Sequence, residues 1–337
     1  GNDELALAGF SKTQEQYPGT PAAREAKRGT ELSLYRLGQT AKGSEVLETL
    51  IQKYPSSAFA ADAQFQIAKR NYQAKRYTDA ADGFRRVVSQ FPGYSAADQA
   101  QFLLADSYAQ AGSTAEARLA YEQFLSFFPE SDLRTTVEFR QGLAAFEAKE
   151  YSPAAVAFTR VLEESVSTEM GSASRYNLAL CQKLLGQTEE ARASLERYRT
   201  ERPHDSRTAD VSYQLGDMDE AKGSTKEAAQ NYESALAAGP SAALEVELQY
   251  RLGRCREALG DPDGALKAYL RAAASTDRKN TFRVSALTRC AALYEAKKSY
   301  SRALDIYLDI SRNSQDQELA ALAKGRATQL QAGSKKR

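Results

Sequence analysis

The sequence predicts an all-α protein, a solenoid of stacked helical hairpins, and three observations predict it. Prolines stand at Pro18, Pro55, Pro92, Pro129, Pro203 and Pro240, 37 residues apart except for one double interval of 74 in which Val166 takes the missing place. In the same step small residues recur at Ala6, Gly43, Ala80, Ala117, Ala154, Ala191, Ala228 and Ala265, each followed four residues on by a large apolar one: Phe10, Leu47, Phe84, Tyr121, Phe158, Leu195, Tyr232 and Tyr269. Within a unit the apolar side chains keep helical spacing in two blocks, as in Phe65, Ile67, Ala68 and Tyr72, then Ala80, Phe84, Val87 and Val88. Such hairpins cannot bury their apolar faces singly, so they stack.

The elements of each unit follow in order. A first helix carries a third ladder of small residues, Ala68, Ala105, Gly142, Ala179, Gly216 and Gly253. Glycines at Gly38, Gly112, Gly186, Gly223 and Gly260 are placed to end that helix in the left-handed conformation. The second helix stops at the proline, which cannot continue it. Two residues later Thr20, Ser57, Ser131, Thr168 and Asp205 are side chains able to accept from the first free amides of the next helix. Small residues recur where helices approach closely, and large ones where the next hairpin's core needs filling. One extra residue near Asp277 shifts the last copy to Ala291, Ala303 and Tyr307.

A single solenoid of about eight repeats is therefore expected over 1–332. It begins within a repeat, since Ala6, Phe10 and Pro18 make residues 1–18 a second helix. A capping helix is expected at 317–331 and a disordered tail at 333–337.

Composition narrows the function. The 337 residues are 42% hydrophobic and 26% charged, as in a folded globular chain. No run of eighteen apolar residues occurs, so this segment does not insert directly into a membrane. Lys and Arg number 45 against 44 Asp and Glu, and no basic position repeats, which argues against a nucleic acid partner. Cys181, Cys255 and Cys290 match no zinc or disulfide framework and read as small buried hydrophobes. The one histidine, His204, follows Pro203 in a turn with no nucleophile and base pair around it. Acidic neighbours such as Glu163 and Glu164 do not face each other on a helix. No phosphate loop, metal cluster or dinucleotide fingerprint is present, so neither an enzyme nor a cofactor is expected.

The order Leu215-Gly216, Gly223, Ala228, Tyr232, Pro240, repeated in register along essentially the whole chain, resembles the tetratricopeptide repeat. Two departures stand out. The unit is 37 residues rather than about 34, with three residues added between the proline and the next Leu-Gly pair, which lengthens the first helix by nearly a turn. The bulky residue expected three before Leu is replaced by Gln64, Gln101, Glu138, Arg175, Ser212 and Gln249, and an aromatic moves one place on to Phe65, Phe102, Phe139, Tyr176, Tyr213 and Tyr250. The aromatic-Pro-x-Ser motif of Tyr54–Ser57 and Phe128–Ser131 is similar to the bacterial cell-envelope branch of the family, of the β-barrel assembly lipoprotein and Tol–Pal coordinator type.

The resemblance implies a right-handed superhelix whose first helices line a concave face, and a periplasmic adaptor function. The aromatic ladder then lies on that face, either as a row of contacts for a partner or as packing between neighbouring first helices. Four and seven residues beyond it the positions vary, and Phe139, Leu143, Phe146, Tyr176, Leu180 and Leu184 share one helical face mid-array. This patch is either a docking surface or part of the core. With Phe102 and Tyr213 on the flanking repeats it forms the candidate partner-binding set. The leading reading is a non-enzymatic scaffold that holds a protein or peptide segment in a cell-envelope assembly, periplasmic or envelope-associated, with the cytoplasm as the other location. The competing reading is a carbohydrate- or peptidoglycan-associated binder whose aromatic ladder stacks on sugar rings.

Overall fold

The computed structural model describes residues 2–40, 43–165 and 167–334. Val166 and residues 335–337 of the expected tail lie outside the described residues. Among the described residues there are eighteen helices and no strand. The chain divides into two compact units, residues 1–185 and 186–337.

The first unit contains α1 (Asp3–Gln16), α2 (Pro21–Gly38), α3 (Ser44–Lys53), α4 (Ala60–Gln73), α5 (Tyr77–Gln90), α6 (Ala97–Gln110), α7 (Thr114–Phe127), α8 (Arg134–Glu147), α9 (Tyr151–Ser165) and α10 (Glu169–Leu184). Consecutive helices pack together, and the first helices α6, α8 and α10 of neighbouring hairpins also touch. The second unit contains α11 (Thr188–Glu201), α12 (Thr208–Lys222), α13 (Thr225–Ala237), α14 (Ala242–Ala258), α15 (Pro262–Ala273), α16 (Thr281–Ala296), α17 (Tyr300–Asn313) and α18 (Gln317–Ser334). It is built the same way, with α14 against α16.

The recurrent small and large residues do what their spacing predicts. Ala80, Ala117, Ala154, Ala228 and Ala265 are fully buried, as are Phe84, Phe158, Tyr232 and Tyr269 one turn on. The glycines of the first helices face those rings. A Cβ at Gly142 would lie 2.8 Å from the Phe158 ring, at Gly216 2.6 Å from Tyr232 and at Gly253 2.5 Å from Tyr269.

Helix ends follow two chemistries. Gly112, Gly186, Gly223 and Gly260 are left-handed, with φ of 77 to 80°. At the same repeat position Lys75, Lys149 and Lys298 adopt φ of 59, 63 and 57°, which costs a side-chain-bearing residue about 1 kcal/mol. After Lys75, Gly112, Lys149, Gly223, Gly260 and Lys298 the next N–H reaches back five positions, as from Glu150 to the Ala145 carbonyl (2.8 Å) and from Ser224 to Asp219 (2.9 Å), closing the helix end. Gly38 departs from this scheme: it is the last residue of α2, Gln39 caps the helix in a right-handed conformation, and the missing side chain of Gly38 makes room for Leu47.

The helix starts correct the sequence reading. Thr20 and Thr168 accept from the N–H groups of Ala23 (3.2 Å) and Gly171 (2.9 Å), and they open long first helices of 18 and 16 residues. Ser57, Ser131 and Asp205 instead accept from Phe59, Leu133 and Arg207 within a turn, and α4, α8 and α12 begin three residues beyond them. The added residues of the repeat therefore enter a turn in these copies and do not lengthen the helix, which at α4, α6 and α8 has 14 residues. The turn is tied down across repeats: the hydroxyls of Ser57 and Ser131 donate to Glu31 (2.9 Å) and Asp98 (2.7 Å) on the preceding first helix.

Two substitutions test these packing arguments. Gly253→Ala forces a methyl group into the Tyr269 ring and lowers unfolding stability by about 1–3 kcal/mol in chemical denaturation. Lys149→Gly relieves the left-handed backbone and raises stability by about 1 kcal/mol, and a variant no more stable than the parent would remove strain as the account of that turn.

Candidate partner-binding surface

The patch read from the sequence is assembled on three neighbouring first helices of the first unit. Spacings of three and four place Phe139, Leu143 and Phe146 along α8, and Tyr176, Leu180 and Leu184 along α10, while Phe102 lies on α6. Leu184 is 53% exposed and the other six are half-buried. Phe139, Leu143 and Phe146 rest on a cluster made by Ala145, Ala154, Phe158 and Cys181, which Leu178 of α10 joins. Leu178 lies off the ladder positions, so comparison between repeats does not single it out. Phe102 packs on the neighbouring cluster around Tyr121 and Phe124. Tyr213 belongs to the second unit, where its hydroxyl donates to Glu247 (2.8 Å) and the Arg251 guanidinium lies over its ring at 5.4 Å.

The aromatic ladder packs within its own hairpin. Phe65 meets Phe84 at 5.6 Å between ring centres, Phe139 meets Phe158 at 6.0 Å, Tyr213 meets Tyr232 at 6.4 Å and Tyr250 meets Tyr269 at 5.8 Å. Contacts to the next hairpin are added by Tyr94 on Phe65 and Phe282 on Tyr250.

A second ladder, polar and missed in the sequence, links neighbouring repeats. The Tyr232 hydroxyl donates to Glu220 (2.7 Å), which also accepts from Arg251 (3.2 Å) of the next first helix. Tyr269 donates to Glu257 (3.0 Å), which holds Arg289, and Glu295 holds Arg326 and takes a hydrogen bond from Tyr307. Burial first and these carboxylates second push the Tyr307 hydroxyl up to about 12 and the Tyr232 and Tyr269 hydroxyls higher still. In the first unit Asp106, one turn earlier, does the same for Tyr121 and Arg140. The signal is a glutamate twelve residues before a tyrosine and an arginine nineteen or twenty after it, a coupling that single-position ladders do not display.

Seventy-four residues before Asp217, Glu220, Tyr232, Arg251 and Arg254 stand Leu143, Phe146, Phe158, Asn177 and Leu180. The patch occupies the positions at which the second unit carries its ion pairs.

Family models agree with this geometry. One described as a tetratricopeptide repeat-like domain matches residues 109–257, and tetratricopeptide repeat models match 32–95 and 247–275. The chain is a tetratricopeptide-repeat protein. A model described as an outer membrane lipoprotein matches residues 64–150. No curated protein matches the sequence. Similar solved structures include a tetratricopeptide repeat protein from Parabacteroides merdae (15% identity, 85% of this chain and 99% of that one, TM-score 0.46). Pseudomonas aeruginosa pilF is another (17% identity, 71% and 96%, TM-score 0.48), as is PilW, a type IV pilus biogenesis factor (15% identity, 68% and 100%, TM-score 0.49).

Cys181, Cys255 and Cys290 are buried free thiols, pushed by burial up to about 11, 11 and 12. His204 is exposed in its turn. Among the described residues no group of histidine, cysteine or carboxylate side chains could hold a metal ion.

The replaced ladder Gln64, Gln101, Glu138, Arg175, Ser212 and Gln249 is buried throughout. Gln101 shows its task, donating its amide to the Ala120 carbonyl of the second helix (2.9 Å). Glu138 stands at the same position, 1% exposed, with Oε2 unpartnered and Oε1 3.5 Å from Nε of half-exposed Arg134. Burial raises its pKa against the opposing pull of Arg134. Because the folded pKa lies above the unfolded one, the native state binds the proton; the stabilisation is complete below the unfolded value and lost as pH rises through the folded one. Glu138→Gln, which makes the amide donor permanent, should therefore raise the denaturation midpoint at pH 8 and leave it nearly unchanged at pH 4. A variant less stable than the parent at pH 8 contradicts this.

Proposed function

We propose that this protein is a non-enzymatic scaffold that holds a segment of a partner protein against the first-helix face of its first unit, within a bacterial cell-envelope assembly. The observation that carries the reading is the apolar patch on α8 and α10, where Leu184 is exposed and Leu143, Phe146 and Leu180 are half-buried beside the core of Phe158 and Cys181. Exposed apolar surface of this kind commonly marks a docking site, and an amphipathic helix or extended segment would bury it. The envelope assignment, with a periplasmic location, is supported by the outer membrane lipoprotein model over residues 64–150, which includes α8. The carbohydrate reading loses support because the ladder rings face ring partners on their own second helices.

Leu143→Glu combined with Leu180→Glu tests the site. The native chain should retain an envelope protein from a fractionated extract, and the double variant should lose it while its helical circular dichroism and melting stay those of the parent. Retention of the same protein by both chains moves the site elsewhere, and cooperative loss of folding assigns the patch to the core.

A further inference from the structure

A second surface, separate from the first-helix patch, lies in the second unit. Here α15, α16 and α17 enclose an open groove of about 500 Å³ with Leu266, Leu270 and Tyr294 along its floor. Leu266 rests on the core cluster, Leu270 is 40% exposed, and Tyr294 is buried, with the Arg302 guanidinium over its ring at 5.5 Å. Three cations rim this floor: Lys267, Arg271 and Arg302. All three are exposed, and none forms an ion pair among the described residues. The single carboxylate in the lining, Asp263, is held by Lys297.

Comparison between repeats separates what this groove needs for folding from what it does not. The equivalent groove of the first unit, between α7 and α9 over α8, has a volume of about 680 Å³. There the positions of Leu266 and Leu270 carry Arg118 and Glu122, an ion pair at 3.4 Å, and those of Tyr294 and Arg302 carry Ala145 and Pro153. In α11 the same two positions again hold a pair, Arg192 and Glu196 at 3.6 Å. Self-neutralising charge thus suffices at these sites in α7 and α11. In α15 that charge is replaced by two leucines, and cations without partners surround them.

We infer that this groove binds an acidic segment of a partner protein, one that seats an aliphatic or aromatic side chain on Leu270 and Leu266 while its carboxylates meet Lys267, Arg271 and Arg302. Charge complementarity selects the occupant: a basic or neutral segment would leave three cations unpaired beside a surface being desolvated.

The probe is a displayed library of random dodecamer peptides selected on the intact chain and counter-selected on the Leu270→Ser variant. Peptides enriched on the native chain should be net acidic with one large apolar residue. Their affinity should fall at least tenfold on Leu270→Ser and weaken as salt rises. Lys267→Glu with Arg271→Glu and Arg302→Glu should reverse the preference to basic peptides. The Leu143→Glu/Leu180→Glu variant should bind the acidic peptides unchanged, which keeps this site distinguishable from the first-helix patch. The altered groove residues are exposed on helix surfaces, and melting curves check that each variant keeps the parent's fold. Enrichment of neutral or basic peptides, binding indifferent to the groove substitutions, or no peptide separating the native chain from Leu270→Ser would each overturn the assignment.

Discussion

Every hairpin depends on one close approach, in which a glycine or alanine of the first helix lets a large ring or leucine of the second lie against its backbone. At Gly142, Gly216 and Gly253 the distance leaves no space for even a methyl group. Fixing the ring fixes the crossing of the two helices, and one fixed crossing repeated every 37 residues brings the same positions of successive first helices into register. The alanines four residues earlier, buried without exception from Ala80 onward, do the same for the other side of the ring. The small-then-large periodicity is thus a geometric requirement, and the other ladders are read against it.

When the seated ring is a tyrosine, its hydroxyl emerges at the first-helix face, where a carboxylate and the next repeat's arginine meet it. Tyr232, Tyr269 and Tyr307 use Glu220, Glu257 and Glu295 in this way, and Tyr121 uses Asp106. Most of these carboxylates and arginines are only partly buried, so each link contributes modestly, on the order of 1 kcal/mol, and the ladder acts as a register device more than as a source of stability. With Phe158 seated no hydroxyl is available and the ladder is interrupted. The candidate binding patch fills that interruption, and its apolar character follows from the loss of the clamp.

The sequence made the recurring part of the fold legible because each recurring residue has one geometric task. Hairpin spacing, the helix ends at Gly112, Gly223 and Gly260, and the burial of the ladder alanines followed from period and residue type. The helix starts did not. Ser57 and Thr168 hold the same repeat position, yet one caps a turn and the other a helix, because Ser57 is also drawn to Glu31 of the preceding repeat. Nor did the acid–arginine ladder, whose members are joined in space by the stacking itself. At the candidate site, Phe139, Leu143 and Phe146 were legible from their spacing, whereas Leu178, which completes the cluster beneath them, occupies a position outside the ladders. Tyr213 was grouped with them by repeat position alone, although its surroundings are carboxylates and Arg251.

The distribution of apolar surface then bears on function through its energetic cost. Uncovered apolar area costs about 25 cal/mol per Å² relative to burial. At the equivalent positions of the second unit the chain avoids that cost with Asp217, Glu220, Arg251 and Arg254, which satisfy one another and remain soluble. A repeat that carries Leu143, Phe146 and Leu180 instead gives up both the ion pairs and the solvation, and recovers only part of that by packing the half-buried Leu143 and Phe146 on the cluster of Phe158 and Cys181. The fold alone supplies no reason for that exchange, because its neighbours solve the same packing problem with charge. A partner segment that covers the patch supplies one: it buries the remaining apolar area on binding.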